Sequence, residues 1–229
     1  MVDLISEYGK LLLEAMGKTL IMALYSLVFA SAIGLIFGLL SVLKNKVCNV
    51  IARIFVDIIR GVPMIVLAFF VYFGVPYAFK NFFGVKFVFE SLTAGIICLS
   101  LNCGAYMAEI IRAGIQAVDV GQMEAARSLG LPYWKSMQKV VLPQAIKMMI
   151  PSIINQFIIT LKDTSILSII GFPELVTTAK SVISVNHDSF RVWIIVGVMY
   201  LIVITILSRV AKIVERRMNR GYHKTRNES

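Results

Sequence analysis

The sequence predicts an all-α integral membrane protein with five transmembrane helices and a polar cytoplasmic segment between the third and fourth. Three observations lead there. Of 229 residues, 58% are hydrophobic and 16% charged, with a mean hydropathy of +0.81, whereas soluble chains are nearer a quarter charged. Long uncharged runs recur, the first of them 25 residues from Thr19 to Leu43, about 37 Å as a helix and enough to span a bilayer with tilt. The positive charges gather at the ends of such runs: segments 44–53, 112–147 and 209–226 hold 15 of the 23 Lys and Arg. That asymmetry puts those three segments in the cytosol, and five spans then put the N-terminus outside.

Several function classes are excluded by the same composition. A net charge of +10 suggests nucleic acid only where it forms a patch on a soluble face, and here it marks membrane topology instead. Cys48, Cys98 and Cys103 are odd in number and contain no C-x-x-C pair, and His187 and His223 are isolated. No metal site and no disulfide framework are expected. No clustered nucleophile and base point to a membrane enzyme. No G-x-x-x-x-G-K-S/T run is present, so the chain itself is not expected to hydrolyse ATP.

The chain reads as one domain over 1–229. Residues 1–18, with Asp3, Glu7, Lys10, Glu14 and Lys18, form an amphipathic leader without the basic start and cleavage site of a signal peptide. The first span, 19–43, carries Ala30, Ser31, Gly34 and Gly38, small residues that let another helix approach closely. Lys44, Lys46 and Arg53 mark a basic turn. The second span is expected at 50–79, loosened by Gly61 and Pro63, with Asp57 and Arg60 three apart and able to pair. The third, 91–117, places Asn102, Tyr106 and Glu109 on one face, with Glu109 able to pair with Arg112. The fourth, 144–162, is polar for a membrane helix: Asn155, Gln156, Thr160, Lys162 and Asp163. Residues 164–186, broken by Gly171 and Pro173, read as a short gate or re-entrant helix. The last span is 192–207, followed by a basic tail of Arg209, Lys212, Arg216, Arg217, Arg220, Lys224 and Arg226.

Between the third and fourth spans, segment 119–143 reads as helix, sharp turn, helix. Asp119 with Gln122 three residues on resembles a capping box. Gly130 sits where a left-handed C-cap belongs, Pro132 opens the next turn, and Pro143 marks a further break. Leu129, Tyr133 and Trp134 leave apolar groups near the turn for a partner to cover.

These residues carry a resemblance. Glu124-Ala125-Ala126, three residues, Gly130, nine residues, then Val140-Val141-Leu142-Pro143 resembles the Glu-Ala-Ala loop of ABC importer permeases, with Val140 in place of the family's Ile. Arg60-Gly61-Val62-Pro63 resembles the Arg-Gly-Thr-Pro of amino-acid permeases. Asn102-Cys103-Gly104-Ala105-Tyr106, Ala108-Glu109-Ile110, Leu161-Lys162-Asp163-Thr164-Ser165 and Glu174-Leu175 resemble segments of the polar amino-acid branch, with Cys103 in place of Ser. The resemblance covers residues 14–215. It implies a transmembrane permease subunit of a polar amino-acid importer in a prokaryotic cell (inner) membrane. It also implies a separate ABC ATPase subunit that binds ATP and Mg, a second permease subunit (a copy or a paralogue), and an extracellular or periplasmic solute-binding protein. No cofactor of the chain's own and no nucleic acid are expected; membrane lipid surrounds it. A permease for a sugar, a phosphonate or an osmoprotectant would share the loop but not the Asn-x-Gly-Ala-Tyr and Lys-Asp-Thr-Ser segments. A passive channel would have no use for a helix pair shaped for an ATPase.

By that resemblance Glu124, Ala125, Ala126, Leu129, Gly130 and Trp134 are the expected ATPase-coupling residues. The substrate path is expected at Asn102, Tyr106, Gln156, Thr160, Lys162 and Asp163. Asn102 lies about 16 Å along its span, near the bilayer midplane, and polar groups at that depth are costly in lipid. A zwitterionic amino acid needs donors for its carboxylate and acceptors for its ammonium, and these side chains supply both, with Lys162 meeting the carboxylate. Interhelical hydrogen bonding is the competing use of the same groups.

Overall fold

The computed structural model describes residues 2–43 and 45–226. Lys44, and the side chains of Arg216, Arg217, Arg220, Lys224 and Arg226, lie outside the described residues. The described chain is all-helical: α1 (Val2–Val42), α2 (Lys46–Gly61), α3 (Met64–Phe69), α4 (Val75–Phe83), α5 (Ser91–Gln116), α6 (Val120–Ser128), α7 (Tyr133–Ser136), α8 (Leu142–Asp163), α9 (Leu175–Asn186) and α10 (Ser189–Arg226). Five helical stretches among the described residues are long and apolar enough to cross a membrane: Asp3–Val42, Met64–Phe83, Ser91–Gln116, Tyr133–Ile170 and Ser189–Ile213.

α5 is the central helix. Two-thirds (67%) of its apolar window is buried by protein, against 11% for α10, which presents most of its side chains outward. α1 lies along α5 at close range because small residues line the contact. A Cβ built on Gly34 would stand 2.4 Å from Met107 Cβ, and one on Gly104 would stand 2.7 Å from Ile33 Cγ2. Ala30 is fully buried in the same contact. In lipid such approach is stabilised by van der Waals packing rather than by hydrophobic exclusion.

The expected leader is not a separate element; it is the first half of α1. Its apolar side, Leu4, Leu12, Ala15 and Met16, is buried against Leu175, Ala179 and Val182 of α9 and Val192 and Val196 of α10. The second span also differs from expectation. The chain straightens at Val62 (φ −99°, ψ 130°) and Pro63 (φ −55°, ψ 137°), so α2 ends at Gly61 and the apolar stretch begins at Met64. A proline removes an N–H and clashes with the preceding turn, and its neighbour is pushed to extended backbone. α2 turns Val47, Val50, Ile51, Ile54 and Ile58 outward and its charged side toward α5.

Pro143 does not break the chain. Leu142 N–H bonds to Met137 C=O, five residues back, so Met137–Val141 is a single π-turn that joins α7 to α8. The same device precedes Pro76, where Val75 N–H bonds to Phe70 C=O. The widened turn carries the helix past a ring that would otherwise strike the carbonyl four residues back.

Residues 164–170 form a 3₁₀ turn and α9 has 12 residues, too short to span. α9 is pinned at its start. The Leu175 N–H donates to Thr19 Oγ1 of α1 at 3.1 Å. The Glu174 carboxylate, fully buried, accepts from Val176 N–H (2.9 Å), Thr177 N–H (2.6 Å), Thr177 Oγ1 (3.1 Å) and Tyr200 Oη of α10 (3.3 Å). Burial pushes the Glu174 carboxyl above its usual range, against the pull of those four hydrogen bonds.

Candidate functional site

The break between α2 and α3 opens a cavity of about 510 Å³. One wall is the break itself, residues 60–64; the others are Asn102 and Tyr106 of α5 and Gln156, Ile159 and Asp163 of α8. Helical spacing brings these groups together. Asn102 and Tyr106 are four apart, and Gln156, Ile159 and Asp163 follow at three and four, so each helix turns one stripe inward. Asn102 and Gln156 are 7% and 6% exposed, and the Asn102 amide donates only a long contact to Met64 Sδ at 3.8 Å. The Gln156 amide also meets the Cys103 thiol of α5; polar side chains at the wall of such a cavity suit a polar solute, since an unmet polar group costs most in such a setting.

Four of the six expected path residues therefore meet: Asn102, Tyr106, Gln156 and Asp163. Thr160 and Lys162 do not join them. Thr160 is buried and its hydroxyl donates to the Gln156 carbonyl at 2.9 Å, a bond within its own helix. Lys162 is exposed. It precedes Asp163 by one residue, about 100° round the helix, so it faces away when Asp163 faces in. Asn155 is exposed for the same reason. In their place Arg60, Gly61, Val62, Pro63, Met64 and Ile159 line the cavity, none of them among the residues the sequence points to for the path. The signal for the first five was Gly61 and Pro63 within a polar stretch of an otherwise apolar run.

A second cavity of about 300 Å³, lined by Ser41, Arg53, Asp57, Arg60, Glu109 and Arg112 among others, shares Arg60 with the first. The pair expected between Asp57 and Arg60 is replaced by one across helices, with Arg60 Nη1 3.9 Å from Glu109 Oε2. Glu109 is also gripped by Arg112, Nε donating at 2.9 Å and Nη2 donating to the other carboxylate oxygen. The Arg60 guanidinium lies over the Tyr106 ring, 4.9 Å from its centroid.

The polar segment forms its own surface. Asp119 caps α6 by accepting from Gly121 N–H at 2.6 Å. At the other end Leu131 N–H bonds to Ala126 C=O (3.2 Å) and Gly130 N–H to Arg127 C=O (3.0 Å), with Gly130 at φ +84°, which is a Schellman closure. α7 starts after Pro132. Glu124, Ala125 and Gly130 are exposed, while Leu129 and Trp134 are 85% and 68% exposed. Ala126 differs: it is buried, on a helix that packs against α7 and the turn 137–141. The segment is tied down by Val118, Met123 and Met137 around the buried Ile115 and Val141, and by Gln144 Nε2 donating to Gln122 Oε1 at 3.3 Å.

One family model, described as the binding-protein-dependent transport system inner membrane component, matches residues 15–220. Relatives include the glutamine transport system permease protein GlnP of Escherichia coli, 35% identical over 208 residues, covering 91% of this chain and 93% of that one. A putative glutamine transport system permease protein GlnP of Rickettsia felis is 37% identical over 217 residues, covering 94% and 97%. Among solved structures, the crystal structure of an amino acid ABC transporter with histidines superimposes with a TM-score of 0.85 at 36% identity, covering 93% of this chain and 96% of that chain.

Proposed function

The chain belongs to the family of binding-protein-dependent transport system inner membrane components, and from that premise we propose that it is the permease half of an ATP-driven importer for polar amino acids, glutamine or a close analogue first among them. The observation that carries the reading is the cavity: Arg60, Asp163, Asn102, Gln156 and Tyr106 converge on one space with the charges and amides that a zwitterion with a polar side chain requires. The relatives named for glutamine transport favour the same solute.

The multi-pass chain supplies half of a pathway in the inner membrane and pairs with a copy or a paralogue. An external binding protein delivers the solute. A separate ABC ATPase binds ATP and Mg and docks on α6, the Gly130 turn and α7, where Glu124, Ala125, Leu129 and Trp134 stand exposed. This docking requires the segment and the C-terminus to be cytoplasmic and the N-terminus outside, in line with the Lys and Arg excess. A cysteine placed at Leu129 in a cysteine-free chain should resist an impermeant reagent added to whole cells; ready labelling would reverse the orientation.

Uptake of radiolabelled L-glutamine by proteoliposomes holding the permease, its ATPase and its binding protein tests the function. Asn102→Leu and Asp163→Asn each remove a polar partner and should lower uptake by roughly tenfold, the scale of a lost hydrogen bond to a charged or buried group. Unchanged transport affinity and selectivity in both variants would leave selection to the binding protein and remove the cavity from the path.

A further inference from the structure

We propose that Arg60 is the carboxylate anchor of this cavity, its guanidinium taking the α-carboxylate of the permeating amino acid while Asp163 takes the ammonium. The inference rests on the reading of the cavity as an amino-acid site. Among the described residues, the cavity wall carries one cation, Arg60, and one anion, Asp163. A zwitterion leaving water for a cavity within the bilayer needs both of its charges met. Lys162, the other cation nearby in sequence, is turned away. Arg60 is delivered to the opening because α2 stops one residue later, at Gly61, and the chain goes extended at Val62.

The present contacts of Arg60 leave it free to act. Its approach to Glu109 is 3.9 Å, long for a salt bridge, with 37% of its side chain exposed. Glu109 is held independently by Arg112. Among the described residues, none of the Arg60 N–H groups donates a hydrogen bond, although the guanidinium carries five. What Arg60 does have is the Tyr106 ring, its guanidinium carbon lying over the ring 4.9 Å from the centroid. That contact attracts the cation to the ring face and occupies none of the N–H groups, which leaves the fork that binds a carboxylate through two parallel bonds for a ligand.

The test uses the purified permease–ATPase complex without binding protein, so that the permease's own preference is read. Binding of radiolabelled L-glutamine is measured, and its displacement by unlabelled L-glutamine and by L-glutamine α-amide, which lacks the carboxylate. Wild type should prefer glutamine by roughly 10- to 100-fold, the scale of a charge-assisted pair. Arg60→Gln should lower glutamine affinity by a similar factor and bring the ratio toward one, and Arg60→Lys should keep part of it. Glu109→Gln, which removes the structural partner, should keep the wild-type ratio. A wild-type ratio in Arg60→Gln, or an equal loss in Glu109→Gln, would overturn the anchor. If Asn102→Leu and Asp163→Asn weaken binding while Arg60→Gln does not, the cavity stands and the anchor falls. If the wild-type complex binds no glutamine, both readings fall together.

Discussion

Replacing Gly130 with valine probes the proposed coupling segment at a residue held by its backbone conformation and not by packing. Gly130 sits at φ +84°, and nothing stands within 4 Å of where its Cβ would lie. A clash with neighbours therefore contributes nothing, and the cost is the left-handed conformation itself, about 1–2 kcal/mol for an L-residue and more for a β-branched one. That is a factor of roughly 5–30 in the occupancy of the native turn. The two closing bonds, Leu131 N–H to Ala126 C=O and Gly130 N–H to Arg127 C=O, weaken with it, and α7 with the exposed Trp134 is re-aimed relative to α6. Gly130→Ala should lie between wild type and valine. The assay is binding-protein-stimulated ATP hydrolysis and uptake in proteoliposomes at matched amounts of inserted protein. Uptake should fall by the order of the turn's lost occupancy while insertion is retained. Wild-type stimulated hydrolysis in Gly130→Val would refute the reasoning and free that turn from any coupling role.

Two further outcomes follow from packing and from charge. Gly34→Ala puts a Cβ 2.4 Å from Met107 Cβ and 3.3 Å from Ala108 N, so α1 and α5 must separate at a cost of about 1–3 kcal/mol. Gly17→Ala, with nothing within 4 Å on the same helix, should leave the melting temperature in detergent unchanged or slightly raised; an equal drop in both would show that the contact is not the cause. For Glu174 the folded pKa is raised above its unfolded value, so its contribution to stability is fully present below the ordinary carboxylate range. That contribution is lost as pH rises through the raised value. Melting temperature should decline over that interval in wild type and flatten in Glu174→Gln, and an unchanged slope in the variant would place the titration elsewhere.

The fold class was legible because lipid leaves so few solutions. Uncharged runs of sufficient length depend on local sequence alone, and they predict five apolar stretches, the number found among the described residues. The Gly130 turn was legible for a similar reason, since a helix stop needing positive φ leaves a glycine at a fixed place. Pro143 was misread as a break because the rule for proline assumes an α-helical turn. The π-turn at Met137–Val141 removes that assumption, and no residue in the turn announces it. The same holds before Pro76, where Phe70–Gly74 looks like any apolar run.

The site divides along the same line. Periodicity correctly put Asn102 with Tyr106, and Gln156 with Asp163, because spacing decides which side chains share a helix face. It could not decide what each face meets. Thr160 shares the stripe of Gln156 yet spends its hydroxyl on the backbone one turn earlier. Lys162 was assigned by its charge, against the geometry of its own helix. Arg60 departs furthest from its expected partner. Three residues from Asp57 it looked like half of a local pair, but α2 ends one residue later and the side chain reaches instead for Glu109 and Tyr106 on α5. The break that frees Arg60 is the same one that opens the cavity. A helix carried unbroken from 46 to 83 would lack the extended break at 62–63, and Asn102 and Gln156 would face its side instead of the wall of an open cavity.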